Sequence, residues 1–289
     1  MDEEIKTANP LGYQKISKLL RSLAIPAIIA NLVNALYNVV DQIFIGQGIG
    51  YLGNAATNIA FPITTICLAI GLTLGIGGAS NFNLELGKGN PEKSKHTAGT
   101  AASTLIIIGI ILCISIRIFL EPLMISFGAT DKILQYAMEY TGITSYGIPF
   151  LLFSIGVNPL VRADGNARYS MMAIIVGAVL NTILDPLFMF VFHWGIAGAA
   201  WATVISQVVS ASLLLVYFPK FKSVKFSLND FIPQVHYLKR IISLGFASFI
   251  YQFSNMIVLI TTNNLLKFYG AKSIYGSDIP IAVFGIVMK

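Results

Sequence analysis

Residues 22–45 read SLAIPAIIANLVNALYNVVDQIFI. Apolar side chains dominate, and a run of this length covers the roughly 30 Å hydrocarbon core of a bilayer as a single helix. The run nevertheless carries Asn31, Asn34, Asn38 and Asp41. At about 100° per residue these four positions fall within an arc of about 80°, a polar stripe on an apolar rod that ends in a carboxylate. A charge at that depth costs roughly 3 kcal/mol on insertion scales, so Asp41 is expected to face a protein interior and to serve a function. The stretch therefore predicts a membrane helix with one face turned toward other helices.

The rest of the chain repeats the apolar theme. Hydrophobic residues make up 55% of the 289 and charged residues only 11%, against about 25% charged in soluble domains. The sequence predicts an all-α polytopic membrane protein. Spans are expected near 22–46, 55–82, 97–120, 133–157, 169–192, 196–218 and 240–267, with an eighth beginning near Ile279. The acidic start, MDEEIK, does not resemble the basic opening of a cleaved signal, so the first span is expected to be retained.

Loop charges orient the bundle. Lys6, Lys15, Lys18, Arg21, Lys88, Lys93, Lys95, Arg162, Arg168, Lys220, Lys222, Lys225, Lys239 and Arg240 fall on one side of the predicted spans. Arg117, Lys132, Lys267 and Lys272 fall on the other. The positive-inside rule then puts the N-terminus in the cytoplasm of a multi-pass protein of the cell (inner) membrane. The net charge of +6 is confined to these loops, with no basic face and no interleaved aromatics, so no nucleic-acid partner is expected.

A weak internal repeat organises the domains. SLAIPAIIANLVNALYNVVDQIFI from Ser22 aligns without gaps to SLGFASFIYQFSNMIVLITTNNLL from Ser243, matching Ser22/Ser243, Leu23/Leu244, Ile29/Ile250 and Asn34/Asn255. Six spans separate the copies, which therefore run in the same direction, as in transporters built from two similar halves. The expected division is a six-helix lobe over 1–219, a cytoplasmic linker over 220–239, and the truncated start of a second lobe over 240–289. The repeat pairs Asp41 with Thr262 and keeps Asn255 opposite Asn34, so Asn31 and Asn34 are assigned to helix packing.

Asp185, in the fifth span, is the second deep acid, at the same expected depth as Asp41. Asn181 precedes it by four residues and shares its face, and Pro186 follows and removes a backbone donor. Thr203, Ser206, Gln207 and Ser210 form a further stripe at i, i+3, i+4 and i+7. Together these point to a polar pocket. Asn158-Pro159 is expected to end the fourth span, Pro26 gives the first span a place to bend, and GLTLGIGG within the second reads as close helix packing. His96, His193 and His236 are expected in loops without metal-ligand spacing, and Cys67 and Cys113 lie in apolar runs where thiols behave as small hydrophobes. No nucleophile–base pair is present, so no enzymatic activity is expected.

LGKGNPEKSKHTAGTA (between residues 85 and 102), VRADGNARYSM (161–171), LNTILDPLFMF (180–190) and GIAGAAWATVISQ (195–207) resemble the multidrug and toxic compound extrusion (MATE) family. The resemblance implies a twelve-helix fold of two six-helix lobes, here the first lobe and the first helices of the second, a monomer when complete. It implies export of small organic cations across the lipid bilayer by antiport with H⁺ or Na⁺, with no cofactor beyond that coupling ion. Carried onto this sequence, it assigns Asp41, Asp185 and Asn181 to the coupling-ion site, Na⁺ being the one metal ion expected there. It places Asn158 and Thr203 in the polar surroundings and suggests a bend of the first helix at Pro26. Tyr37, with Phe61, Phe153 and Met189, is expected to supply an adaptable wall. Two alternatives remain: a flippase for lipid-linked precursors, whose cavity would need Arg or Lys for phosphate where the first six spans hold none at depth, and a passive channel.

Overall fold

The computed structural model describes residues 15–287. Lys6, the MDEEIK start and Lys289 lie outside the described residues. Among the described residues seven helical spans are long and apolar enough to cross a membrane: Ile16–Gly48, Tyr51–Gly87, Pro91–Ile118, Asp131–Ala163, Ala167–Val191, Gly195–Lys220 and Val235–Gly270. In chain order the helices are α1 (Ile16–Gly48), α2 (Tyr51–Gly87), α3 (Pro91–Ile118), the short α4 (Leu120–Ser126), α5 (Asp131–Thr144), α6 (Ile148–Ala163), α7 (Ala167–Pro186), α8 (Gly195–Tyr217), α9 (Val235–Gly270) and α10 (Asp278–Val287). The tight turn Ser145–Gly147 joins α5 to α6 as one crossing. Every span starts before its apolar run and most stop beyond it, because a helix continues into the headgroup layer where hydropathy no longer marks it.

Two expectations are corrected here. The fourth span does not end at Asn158-Pro159: α6 runs through Pro159 to Ala163 and carries Arg162 in its last turn. A proline is tolerated inside a buried helix when neighbouring groups take up the freed carbonyl. His96 lies in α3 and His236 in the first turn of α9, leaving His193 in a loop, with a φ of 57°. The polar stretch between α8 and α9, expected as a cytoplasmic linker, carries an aromatic cluster of its own. Phe218, Phe221, Phe226 and Phe231 pack edge-to-face and stacked, with ring centroids 5.1–5.6 Å apart, and Asp164 and Asp230 tie the stretch to the basic end of the bundle.

α2 is the central strut, packed against α3, α6, α9 and α10. Its glycines permit this. A Cβ added at Gly75 would stand 2.6 Å from the carbonyl oxygen of Gly156 in α6, and one at Gly77 or Gly245 would enter the backbone of the facing helix, so α2 meets α6 and α9 backbone to backbone. Farther along, Asn58 of α2 donates to Asn263 Oδ1 in α9 (2.9 Å) and to the Ile281 carbonyl in α10 (3.1 Å). α1 is the contrast. It packs chiefly on α7 and leaves Ile25, Ile28, Leu32, Leu36 and Ile43 exposed. Pro26 is buried within α1, which continues unbroken on either side of it.

Candidate functional site

Between α1 and the remaining spans lie two adjoining cavities built from one polar stripe per helix. The larger, about 470 Å³, is faced by Asn31, Asn34, Tyr37 and Asn38 of α1 and by Ser154, Asn158 and Arg162 of α6. Gly177 and Asn181 of α7 and Thr203, Ser206, Gln207 and Ser210 of α8 complete its polar side. Phe61, Leu68 and Leu72 of α2 form its apolar wall. The smaller, about 110 Å³, is reached by Asp41, Thr57, Tyr140, Thr144 and Thr203. Tyr37, Asn38, Phe61, Thr203 and Gln207 face both, so the two adjoin, with the acid at the end away from the basic loops.

The acids meet at that end. Asp41 is 8% exposed and Asp185 is completely buried, and the two carboxyl groups lie within hydrogen-bonding reach of one another. Two carboxylates in contact repel, and a proton or a cation between them removes the repulsion. Asn181 donates to Asp185 Oδ1 at 3.2 Å. Gln42 donates to Asp41 Oδ2 at 3.0 Å and accepts from Thr57 at 3.0 Å, fixing the Asp41 side chain to α2. With both acids ionised, no donor among the described residues reaches Asp185 Oδ2, Asn181 Oδ1 or Gln207 Oε1. Buried acceptors left without donors are costly, and this oxygen-only set suits a proton, a hard monovalent cation or an ammonium group. Directly after Asp185, Pro186 leads into a π-helical turn, Leu187–Val191, a local widening often found at functional positions.

The structure brings together Asp41, Asp185 and Asn181, and it places Tyr37 and Thr203 on the same cavity wall. Asn158 also faces the cavity, but its amide is engaged in packing: Nδ2 donates to the Ser170 carbonyl (3.0 Å) and Oδ1 accepts from the Ser170 hydroxyl (2.7 Å). Met189 is buried against Ile45 and Ala199, and Phe153 against Phe218, so neither is a pocket wall. Asn31 and Asn34, assigned to packing above, instead face the larger cavity. Sequence reasoning also passed over Gln42, Thr57 and Tyr140. The polar spacing of Asn54, Thr57 and Asn58 at i, i+3 and i+4, and of Tyr140 and Thr144 at i and i+4, carried that information.

The MatE family profile matches residues 26–187, more than half of the chain. The chain belongs to the MatE family. It is 24% identical over 276 residues to the multidrug export protein MepA of Staphylococcus haemolyticus, an alignment spanning 93% of this chain and 60% of that protein. Among solved structures it superposes on the MATE multidrug transporter DinF-BH (TM-score 0.87, 38% identity, 94% of this chain and 60% of that one). It also superposes on a MATE described as being in the bent conformation (TM-score 0.76, 26% identity, 93% and 62%). The chain thus spans about 60% of the length of these relatives. Family membership agrees with the all-helical membrane architecture and with a transporter's cavity.

Proposed function

We propose that the complete protein is a secondary active multidrug exporter that moves small organic cations out of the cell by antiport against H⁺ or Na⁺. One observation carries the reading: the contact between Asp41 and Asp185, beside a cavity that Asn181 and Gln207 help to line. Ionised, that end of the cavity attracts a cation; protonated or Na⁺-bound, it no longer does. A coupling ion and a cationic cargo thereby disfavour one another, which is the differential binding that exchange requires. The names of the relatives support efflux. In this reading the basic loops lie in the cytoplasm of the cell membrane, the acids sit in its outer half, and α1 bends at Pro26, where the missing amide leaves the Ser22 carbonyl free of its helical bond. Monomeric action of the complete chain and absence of an enzymatic step belong to the same proposal.

The test is transport of a fluorescent cation by the full-length protein in liposomes with pH and Na⁺ gradients imposed separately. Wild type should export under at least one gradient, and Asp41→Asn should abolish the gradient-driven component. Undiminished antiport in Asp41→Asn would remove the assignment. A second reading, lipid flipping, is favoured by a single feature: α6 places Arg162 on the wall of the larger cavity, where a loop position was expected.

A further inference from the structure

We propose that the larger cavity has a binding end opposite in charge to the acid end of the adjoining smaller one: Arg162 is an anion subsite that holds a carboxylate or similar oxyanion on the transported molecule. Arg162 is half-buried in the last turn of α6, and among the described residues no carboxylate or carbonyl accepts from its guanidinium. A basic residue serving only to anchor a helix in headgroups would point outward to lipid. This one faces the cavity. Ser154, Asn158 and Arg162 are spaced four apart, which stacks them on one side of α6. Asn31 and Asn34 bring to the same volume, from α1, amides for which the described residues supply no side-chain partner.

The polarity of the volume follows. Its outer end presents acceptors without donors, and its basic end presents five N–H donors without an acceptor among the described residues, in the planar fork that matches an oxyanion. The larger cavity has no Asp or Glu on its described wall, so Arg162 is the charged group lining it. An amphipathic molecule bearing a cationic group and an oxyanion would satisfy both ends, while its apolar body meets Leu68 and Leu72. This rests on the efflux reading for the outer end, but the Arg162 subsite is a binding property that stands or falls separately.

The experiment uses the full-length protein and a matched pair of dyes, a rhodamine ester and the corresponding free acid, which differ by one carboxylate. Equilibrium binding to wild type, Arg162→Gln and Arg162→Lys gives the acid-to-ester ratio of Kd. A charge-assisted bidentate contact predicts that the ratio rises by about tenfold in Arg162→Gln, with partial return in Arg162→Lys. A ratio unchanged by Arg162→Gln, or equal weakening of both dyes, overturns the subsite, the latter placing Arg162 in a structural pair. Transport of the ester by wild type in the same preparation tests efflux independently. Repeating the binding in nanodiscs of phosphatidylcholine with and without phosphatidylglycerol identifies the source of the oxyanion. Competition by the anionic lipid in wild type that disappears in Arg162→Gln supports the subsite with a lipid phosphate as occupant; its absence supports the subsite with the cargo's own carboxylate.

Discussion

Asp164 and Asp185 are the same residue type at the same burial, each completely shielded from solvent, yet their surroundings are opposite. Asp164, between α6 and α7, accepts from the Tyr217 hydroxyl (2.8 Å), the Lys222 amide (2.9 Å) and the Ser223 amide (2.9 Å). Every donor there is aimed by folded backbone, and the carboxylate closes the end of the bundle. Asp185 has one amide donor, an acid for a neighbour, and an oxygen that no donor among the described residues reaches. Burial alone does not separate structure from function in this chain. What separates them is whether the protein itself supplies the counter-groups or leaves them to a ligand.

The largest expected effects test that difference directly. Asp185→Asn should reduce gradient-driven export by the full-length protein to the level of protein-free liposomes, while stability in detergent changes by no more than about 1 kcal/mol, because an amide replaces a carboxylate that the fold does not satisfy. Asp164→Ala should do the reverse. It removes the acceptor of the buried Tyr217 hydroxyl and of the Lys222 and Ser223 amides, at about 3 kcal/mol of stability, measured by thermal unfolding of the purified protein, with ion selectivity of the remaining folded fraction unaltered. If Asp185→Asn unfolded the protein as readily as Asp164→Ala, the distinction would fail.

The same distinction explains what the sequence revealed. The spans and the two deep acids were legible because bilayer insertion penalises charge so strongly that Asp41 and Asp185 stand out from their helices. Arg162 and Asn158 were misplaced by an ordinary rule, that Asn-Pro followed by a basic residue ends a helix. α6 breaks it because Pro159 sits in a packed membrane bundle. Asn31 and Asn34 were misassigned because a repeat reports shared descent of packing positions and is silent about which faces are left open. The stretch after α8 reads as a linker from its charges, and Phe221, Phe226 and Phe231, five apart, mark the aromatic cluster within it. Side-chain satisfaction, which sorts Asp164 from Asp185, depends on backbone amides brought from 58 and 59 residues away, and no local pattern encodes that.

A second contrast lies between the α2–α6 seam and the cavity wall. Gly75 meets Gly156 with no room for a methyl group, whereas Asn34 faces open volume. Gly75→Ala should therefore push the helices apart and destabilise by about 2 kcal/mol, and Asn34→Ala should stay within about 0.5 kcal/mol. Unfolding of the two variants side by side ranks them, and the reverse order would show that α2 and α6 have slack.

The smallest effect concerns Asp230, a further buried acid, which stands between Asp164 and Asp185 in kind. Its carboxyl is held below the usual carboxylate range: burial alone would raise it, but the Ser227 amide and hydroxyl and the charges of Lys95 and His96 outweigh that cost. His96 Nδ1 lies 3.3 Å and Lys95 Nζ 3.7 Å from Asp230 Oδ1, so the contact latches the stretch before α9 onto α3. Because the folded-state value is the lower one, the stabilisation is present above the unfolded value near 4 and is lost as pH falls through the folded value. Hydrogen exchange over residues 221–234 should be slow at pH 6 and rise as the medium is acidified below about pH 4. Asp230→Asn should flatten that acid response at about 1 kcal/mol or less of stability at neutral pH, since Ser227 can still donate to the amide oxygen. An acid response that persists undiminished in Asp230→Asn would overturn the assignment to Asp230.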